Sequence, residues 1–246
     1  MATIKNEHLI MEYDEHSGTV WKIAQRDGGM NWVISPELLE AAGYGEHKGC
    51  LLGKSRVQSN HGQADTSGLA PVEIQANSSS VRIIYDLGFV ALAHEFSFQE
   101  DALRWDIELT NKTGGALQMS ELLHWLPVSY VMHEDRQLNL NASYSFVPSV
   151  GGDMSYIFCK VRGGKGSDLL ITNPGGGMRS TGSLCLYKNL FFEKGAPSLS
   201  GMVLYNVVHC SPRQQEEENP FADWPYQDTS QALTLECGES FRDSFV

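Results

Sequence analysis

The sequence predicts an all-β protein, folded as one large antiparallel β-sandwich, and three observations carry this prediction. Apolar residues alternate with small or charged residues over several consecutive segments, which is the pattern of half-buried strands. Some of these segments are only two to four residues apart, an interval that permits only hairpin connections. Signals for helix starts are scarce, whereas a TIM barrel or a Rossmann fold needs a substantial helix after most strands.

The first predicted elements are a hairpin and a helix. Residues 8–14 and 19–24 are apolar segments on either side of a short turn, and they predict an opening hairpin. Ser35 is a suitable N-cap, and Pro36 suits the first helical position because its missing N–H has no partner there. These signals predict one short helix near 36-42, followed by a glycine.

The clearest periodicity follows in the next part of the chain. Residues 81–87, 90–98 and 103–109 each place apolar side chains at alternate positions. Because only short turns separate them, they predict a three-stranded antiparallel meander with one buried face. Residues 111–115 then predict a turn that leads into a strand through Leu117.

Shorter apolar segments predict the remaining strands, at residues 72–75, 156–158, 169–171, 184–187, 202–208 and 232–235. The most polar stretch, 214–220, is interpreted as a solvated loop and not as a domain boundary. A β-sandwich can reach this length as one unit. The sequence therefore predicts a single domain over residues 1-246.

Charge and hydropathy limit the partners. The chain has 18 Lys and Arg against 30 Asp and Glu, a net charge of −12, and no cluster of cations that would neutralise phosphates. We therefore expect neither a nucleic acid nor an anionic membrane as partner. Carboxylates lie where a signal peptide would have its apolar core, so we expect no export signal. This slightly favours a cytoplasmic location, although the compartment stays undetermined.

Motifs for metals and cofactors are missing. The five cysteines are widely spaced and odd in number, which favours reduced thiols. The glycine-rich segments 162–167 and 173–178 lack the features of phosphate-binding loops and are interpreted as turns. His133 and Asp135 are assigned to a solvated turn, and His94 to a core or interface position with a hydrogen-bond partner. The sequence predicts no metal and no cofactor.

Aromatic residues beside carboxylates and amides are more informative, because such sets can form the apolar platform and the polar contacts of a carbohydrate site. Packing in the core is the competing interpretation for each of them. The candidate carbohydrate-binding residues are Trp32, His124, Trp125, Tyr130, Trp224 and Tyr226.

Catalytic residues stay unassigned at this point. A glycosidase needs two carboxyl groups at a defined separation, and 30 acidic residues give no basis for choosing a pair. An epimerase needs an acid and a base on opposite sides of a sugar ring. One of His94, His124 or His133 with a late glutamate such as Glu236 would serve, but no local spacing supports a choice.

Several segments resemble a known domain type. The start of the chain, with HLIMEYD at 8–14, GTV at 18–20 and DGGMNWV at 27–33, resembles the start of β-supersandwich domains in bacterial glycoside hydrolases. Later segments are similar to later strands of the same galactose-mutarotase-like domain, at 126–128, 155–158, 169–174 and 233–240. The resemblance covers nearly the whole chain and implies a galactose-mutarotase-like supersandwich.

The resemblance also implies a partner. In those enzymes the supersandwich precedes a helical (α/α)6 barrel that carries the general acid and base. Residues 241–246 follow what would be the last sandwich strand. We therefore expect the N-terminal part of a longer glycoside hydrolase, with its helical-barrel catalytic domain and catalytic residues outside this chain.

Three functions are consistent with these features. The leading hypothesis is a carbohydrate-related domain that supports or binds substrate for a glycoside hydrolase without catalysis of its own. A stand-alone mutarotase-like sugar epimerase and a lectin-like carbohydrate-binding module are the alternatives. All three predict an oligosaccharide, a polysaccharide or a free sugar as ligand.

Overall fold

The computed structural model describes residues 1–132, 136–151, 155–163, 166–187, 201–211 and 232–246. The helical elements within them are α1, Pro36–Ala41, a 3-10 segment, Gly45–Cys50, and α2, Arg136–Asn141. The strands in chain order are β1 Ala2–Lys5, β2 Leu9–Tyr13, β3 Val20–Gln25, β4 Ser55–Ser59, β5 Gly62–Asp65, β6 Glu73–Ala76, β7 Ser80–Asp86, β8 Val90–Gln99, β9 Ala102–Asn111, β10 Leu117–Trp125, β11 Val131–Met132, β12 Tyr144–Ser149, β13 Tyr156–Val161, β14 Leu169–Thr172, β15 Ser180–Tyr187, β16 Gly201–Cys210, β17 Leu233–Leu235 and β18 Ser240–Phe245.

Two large sheets face each other and form a sandwich. One sheet has five strands in the order β18-β9-β8-β7-β6. The other has seven, along the path β11-β16-β10-β4-β5, with β15 paired to β16 and β17 paired to β10. Side chains such as Ile83 of β7, Val57 of β4 and Leu122 of β10 fill the space between the sheets. The predicted large antiparallel β-sandwich is confirmed.

The predicted meander forms the centre of the five-stranded sheet. Strands β7, β8 and β9 are antiparallel neighbours, and His94 lies between Ile83 and Ile107 in register. The alternation of apolar and polar residues gives this meander one buried face, because successive side chains of a strand point to opposite faces.

Two three-stranded sheets, β1-β2-β3 and β12-β13-β14, complete the described architecture. The predicted opening hairpin is the β2–β3 pair, in which Met11 is opposite Ile23. Among the described residues, none of the helices has the length and apolar character needed to cross a membrane.

Helix α1 begins as its capping signals predict. The Ser35 hydroxyl oxygen accepts the backbone N–H of Leu38 at 3.2 Å, and Pro36 occupies the first turn. Gly43 follows the helix with a φ of +80°, a conformation that glycine adopts without steric cost. The buried Leu39 and Tyr44 join a second apolar cluster on the outer face of the seven-stranded sheet.

The structure differs from the sequence prediction in two respects. Helix α2 and the 3-10 segment add to the one short helix that was predicted. The placement of the last sandwich strand before residue 241 was wrong, because Ser240–Phe245 forms β18 and pairs with β9 at the edge of the five-stranded sheet. The buried Asp243 interrupts the apolar pattern that would have marked this strand.

Candidate functional site

A groove of about 410 Å³ lies on the outer face of the seven-stranded sheet. Strands β4, β10, β15 and β16 form its floor, and the 3-10 segment forms one side. The side chains with functional groups come from different strands and share this face because of the two-residue period of each strand. They are His47, Arg56, Glu121, Trp125 and Asn206, beside the small residues 180–183.

Arg56 and Glu121 provide the charges of the groove. Arg56 is opposite Leu123, and Glu121 precedes Leu123 by two positions on β10, so the two charged residues lie diagonally across neighbouring strands. Glu121 is only 7% exposed. Within the part of the chain that the structure describes, neither side chain has an ion pair or a hydrogen bond. A nearly buried charge without a partner is costly, which favours a ligand as its partner.

Asn206 and Trp125 form the centre of the floor. Trp125 is opposite Asn206 on β16, and Asn206 is opposite Gly182 on β15. A Cβ atom at position 182 would lie 2.6 Å from the Asn206 Oδ1, so glycine is what leaves room for this amide. The Asn206 Oδ1 is buried and has no hydrogen-bond partner in the described residues.

The 3-10 segment contributes an imidazole and a thiol to the groove wall. The His47 Nε2 lies 3.4 Å from a Glu46 carboxylate oxygen. Burial raises the pKa of Cys50 to about 11, partly opposed by the nearby Arg56 charge, so this thiol is protonated at neutral pH. A second depression of about 370 Å³ shares His47, Cys50, Arg56 and Trp125 and extends the cleft toward Asp65.

The opposite side of the same strands carries a buried polar cluster. The Ser55 Oγ lies 3.0 Å from the His94 Nε2 and 2.6 Å from the His124 Nδ1, and the Trp105 indole N–H donates to the His94 Nδ1 at 3.1 Å. Burial lowers the pKa of His94 to about 3, with a smaller effect of the Lys54 charge. Burial also lowers the pKa of His124. Both imidazoles are neutral, and His94 has the buried, hydrogen-bonded position that its sequence predicts.

A third histidine extends this cluster. The His209 and His124 ring centroids are 5.1 Å apart, and the His209 Nδ1 lies 2.8 Å from the Gly177 carbonyl oxygen and 3.5 Å from an Asp243 carboxylate oxygen. Burial lowers the pKa of His209, opposed by the Asp243 charge. The Asn173 amide holds both Asp243 oxygens at 2.9 Å. The cluster is closed to solvent and stabilises the sandwich from inside.

Of the six predicted carbohydrate-binding residues, the structure describes four, and these four lie in different places. Trp125 lies in the groove at 6% exposure. His124 is fully buried beneath it, a position that does not suit contact with a sugar. Tyr130 packs against Tyr205 and beneath the Arg162 guanidinium, 4.2 Å from its ring centre. Trp224 and Tyr226 lie outside the described residues, as do His133 and Asp135.

Trp32 belongs to a different cavity, at one end of the sandwich. This cavity has a volume of about 470 Å³ and mostly apolar walls, including Leu103, Trp105 and Leu170. The Trp32 indole N–H is 3.4 Å from the Ser167 carbonyl oxygen. A carbohydrate site needs several polar groups in convergence. The groove on the seven-stranded sheet meets that requirement better than this cavity.

Sequence reasoning missed Arg56, Glu121 and Asn206. They are distant in the chain and meet only because β10 lies between β4 and β16 in the sheet. The described residues contain no group of three or more His, Cys, Asp or Glu side chains arranged to hold a metal ion. Chemically, the groove offers a carboxylate, a guanidinium, an amide, an imidazole and an indole.

Comparisons with known proteins identify the fold. No sequence family model matches the chain, and no curated protein sequence matches it. A polysaccharide lyase structure aligns over 98% of this chain and 32% of its own, with a TM-score of 0.69 and 16% identity. A galactose mutarotase related enzyme from Lactobacillus acidophilus aligns over 99% of this chain and 95% of its own, with a TM-score of 0.54 and 9% identity.

A 4-α-glucanotransferase from Thermococcus litoralis aligns over 99% of this chain and 37% of its own, with a TM-score of 0.51 and 8% identity. The chain thus spans about a third of the lyase and of the glucanotransferase, but nearly all of the mutarotase related enzyme. Identities this low establish the architecture alone. This chain has a galactose-mutarotase-like β-sandwich fold, as the resemblance in its sequence implies.

Proposed function

We propose that this chain binds carbohydrate in the groove on the outer face of the seven-stranded sheet, as a domain of a carbohydrate-active enzyme. One observation supports this most: Arg56, Glu121 and the Asn206 Oδ1 have no partners among the described residues and lie together beside Trp125. Sugar hydroxyls donate to carboxylates and amide oxygens and accept from guanidinium groups. An indole beside them provides an apolar surface for a pyranose ring.

The fold neighbours support the carbohydrate part of the proposal. Their names describe a polysaccharide lyase, a glucanotransferase and a mutarotase related enzyme. In the first two, a domain of this size is a minor part of the chain. By analogy, a larger partner domain, such as the helical barrel that the sequence resemblance implies, would contain the catalytic residues. Intact-mass analysis of the natural protein tests this, because a mass close to 27.2 kDa would contradict a larger enzyme.

Isothermal titration calorimetry against a panel of neutral and acidic oligosaccharides tests binding. Glu121→Gln and Arg56→Gln keep the approximate shape of each side chain and remove its charge. Each is expected to weaken binding at least tenfold, because a hydrogen bond to a charged group contributes about 1.5–3 kcal/mol. Arg104→Gln, on the opposite sheet, is the matched control and keeps the wild-type affinity. Equal affinities for all four proteins would refute the groove as the binding site.

A second candidate function is epimerase activity on a free sugar. The observation that favours it is that one carboxylate, Glu121, and one imidazole, His47, line the same groove. A carboxylate as base and an imidazole as acid would move a proton from the anomeric hydroxyl and a proton to the ring oxygen. This opens the ring, and reclosure on the other face gives the other anomer.

Saturation-transfer NMR of anomer exchange separates the two candidates. If the chain is an epimerase, it accelerates exchange, and Glu121→Gln lowers the rate at least a hundredfold while the sugar still binds. No acceleration at saturating sugar, with binding intact, would refute the enzyme and favour a purely binding domain.

A further inference from the structure

Three of the four strands that form the floor of the groove also contribute to the buried histidine cluster, with side chains on their inner face. Ser55 of β4, His124 of β10 and His209 of β16 point into the sandwich. Their neighbours Arg56, Trp125 and Val208 point into the groove. Successive residues of a strand face opposite sides, so a displacement of the inner residues moves the outer ones.

The hydrogen bonds fix where each proton of the cluster lies. The Trp105 indole is only a donor, so the His94 Nδ1 that it contacts is an acceptor and the His94 proton lies on Nε2. That proton points to the Ser55 Oγ, and the Ser55 hydroxyl then donates to the His124 Nδ1. His124 therefore carries its proton on Nε2. The chain of donors runs in one direction, from Trp105 to His124.

Any further proton breaks this chain. A proton on the His94 Nδ1 would face the indole N–H, and a proton on the His124 Nδ1 would leave the Ser55 hydroxyl without its acceptor. The His124 Nε2 and the His209 Nε2 have no hydrogen-bond partner among the described residues. The neutral, singly protonated state of His94 and His124 is thus part of the folded structure.

The charges around the cluster also oppose protonation. Lys54, which directly precedes β4, is nearly fully buried, and its ammonium charge disfavours a cation at His94. Arg179 disfavours a cation at His209, whereas Asp243 of β18 favours one there. Tyr85 of β7 packs its ring against His94, and burial raises its pKa, so the phenol is neutral. The described residues hold no carboxylate in an ion pair with His94 or His124.

We propose that this buried histidine cluster makes carbohydrate binding in the groove sensitive to acid, although none of its members lines the groove. Proton uptake by His94 or His124 separates the two sheets. Strands β4, β10 and β16 then no longer hold the groove residues in place, and binding is lost. The inference rests on the proposed function for its ligand. The acid-dependent opening is a property of the cluster itself.

The direction and the size of the pH effect on the unfolding equilibrium follow from proton linkage. The pKa values of His94 and His124 are depressed in the folded state, so the unfolded chain binds more protons below about pH 6.5. The contribution of these two histidines to the free energy of unfolding is therefore fully present above about pH 6.5 and is lost progressively as the pH falls below it. Between pH 7.5 and pH 5, His94, whose pKa is lowered to about 3, raises the unfolding equilibrium constant about 30-fold, and the lowered pKa of His124 acts in the same direction.

The test compares urea unfolding and calorimetric oligosaccharide binding at pH 7.5 and pH 5. In the wild type we expect the unfolding constant to rise at least about 30-fold from pH 7.5 to pH 5. The fraction of protein with bound oligosaccharide should fall together with the folded fraction as urea unfolds the protein. In His94→Gln/His124→Gln, where glutamine retains a donor and an acceptor, the rise of the unfolding constant between the two pH values should be at least about 30-fold smaller than in the wild type. His61→Gln, an exposed site, keeps the wild-type dependence.

A second measurement, on the wild-type protein, decides the question if the double variant does not fold. In wild-type protein with 15N-labelled histidines, we expect His94 and His124 to keep one neutral tautomer, protonated on Nε2, until the protein unfolds. Reversible titration of either ring near pH 6.5 in the folded state would overturn the inference, as would an unfolding constant that changes less than tenfold. Absence of binding at pH 7.5 would refute the proposed function alone, since the unfolding and tautomer results still decide the role of the cluster.

Discussion

Replacement of Asn173 with alanine is expected to destabilise the fold by about 3–5 kcal/mol, through the last strand. Asn173 is 1% exposed, and its amide donates to both Asp243 carboxylate oxygens at 2.9 Å. Its Oδ1 accepts the backbone N–H of Met178 at 2.9 Å. The variant leaves a buried carboxylate without its amide donor, at a cost of about 1.5–3 kcal/mol, and a buried N–H unpaired, at about 1–3 kcal/mol.

Urea unfolding at pH 7.5, followed by tryptophan fluorescence, measures this free energy. The expected loss corresponds to a rise of the unfolding constant by roughly two to four orders of magnitude. Asn77→Ala is the matched control, because Asn77 forms the same kind of turn hydrogen bond, to Ser79 and Ser80, at an exposed position. We expect it to cost less than about 1 kcal/mol. Equal costs for the two variants would refute the claim that Asn173 stabilises the buried Asp243 carboxylate.

Three further predictions concern strain, alkaline pH and thiol exposure. In the same unfolding assay, Gly53→Ala should cost about 2–4 kcal/mol, because φ is +86° and the new Cβ would lie 2.6 Å from the Gly18 carbonyl oxygen. The control Gly28→Ala, where φ is +102° and the space around the new Cβ is open, should cost about 1–2 kcal/mol. Burial raises the pKa of Cys159 to about 12 and that of Cys210 to about 11, so the folded state keeps protons that unfolded thiols lose above about pH 8.5. The free energy of unfolding should therefore fall between pH 8 and pH 10, by about 2 kcal/mol per thiol. Burial lowers the pKa of Lys54 to about 8, which acts in the opposite direction and offsets part of this loss. A steady rise of stability over this range would contradict the burial of the two thiols. In thiol labelling of the folded protein, the exposed Cys185 and Cys237 should react rapidly and Cys159 only after unfolding, so equal rates would contradict the burial of Cys159.

The regular part of the sandwich was predictable because its physical signal is local. In β7, β8 and β9 the period-two alternation is uninterrupted, and the turns leave no choice but hairpins. The start of α1 was equally clear, since the Ser35 cap and Pro36 act within one turn of the chain. For these elements, residues close together in the sequence are sufficient to predict the structure.

Other strands escaped prediction because partners distant in the sequence stabilise them. In β18, Asp243 occupies an inward position, which is tolerable only because Asn173, seventy residues earlier, donates to it. Strand β5 is a mostly exposed edge strand with the residues GQAD and has no apolar period of its own. Pairing with β4 defines it, through contacts such as Arg56 opposite Asp65.

The site was less predictable than the fold. The sequence made Trp125 a candidate because a tryptophan is informative by itself, but Arg56, Glu121 and Asn206 are ordinary surface residue types in a linear sequence. Their convergence depends on the strand order β4-β10-β16 and on a bulge in β10 between Met119 and Glu121. His124, the other candidate on β10, is fully buried. Its neighbour Trp125 faces the groove, and strand geometry therefore directs His124 into the core.

Residue-resolved NMR during an oligosaccharide titration is the most direct test of the proposal that the groove binds carbohydrate. We expect the largest amide shift changes at Arg56, Glu121, Gly182 and Asn206, and we expect them to saturate together. Changes centred instead on Trp32 and Leu170, at the apolar cavity, would contradict it, as would no change with any of the tested oligosaccharides.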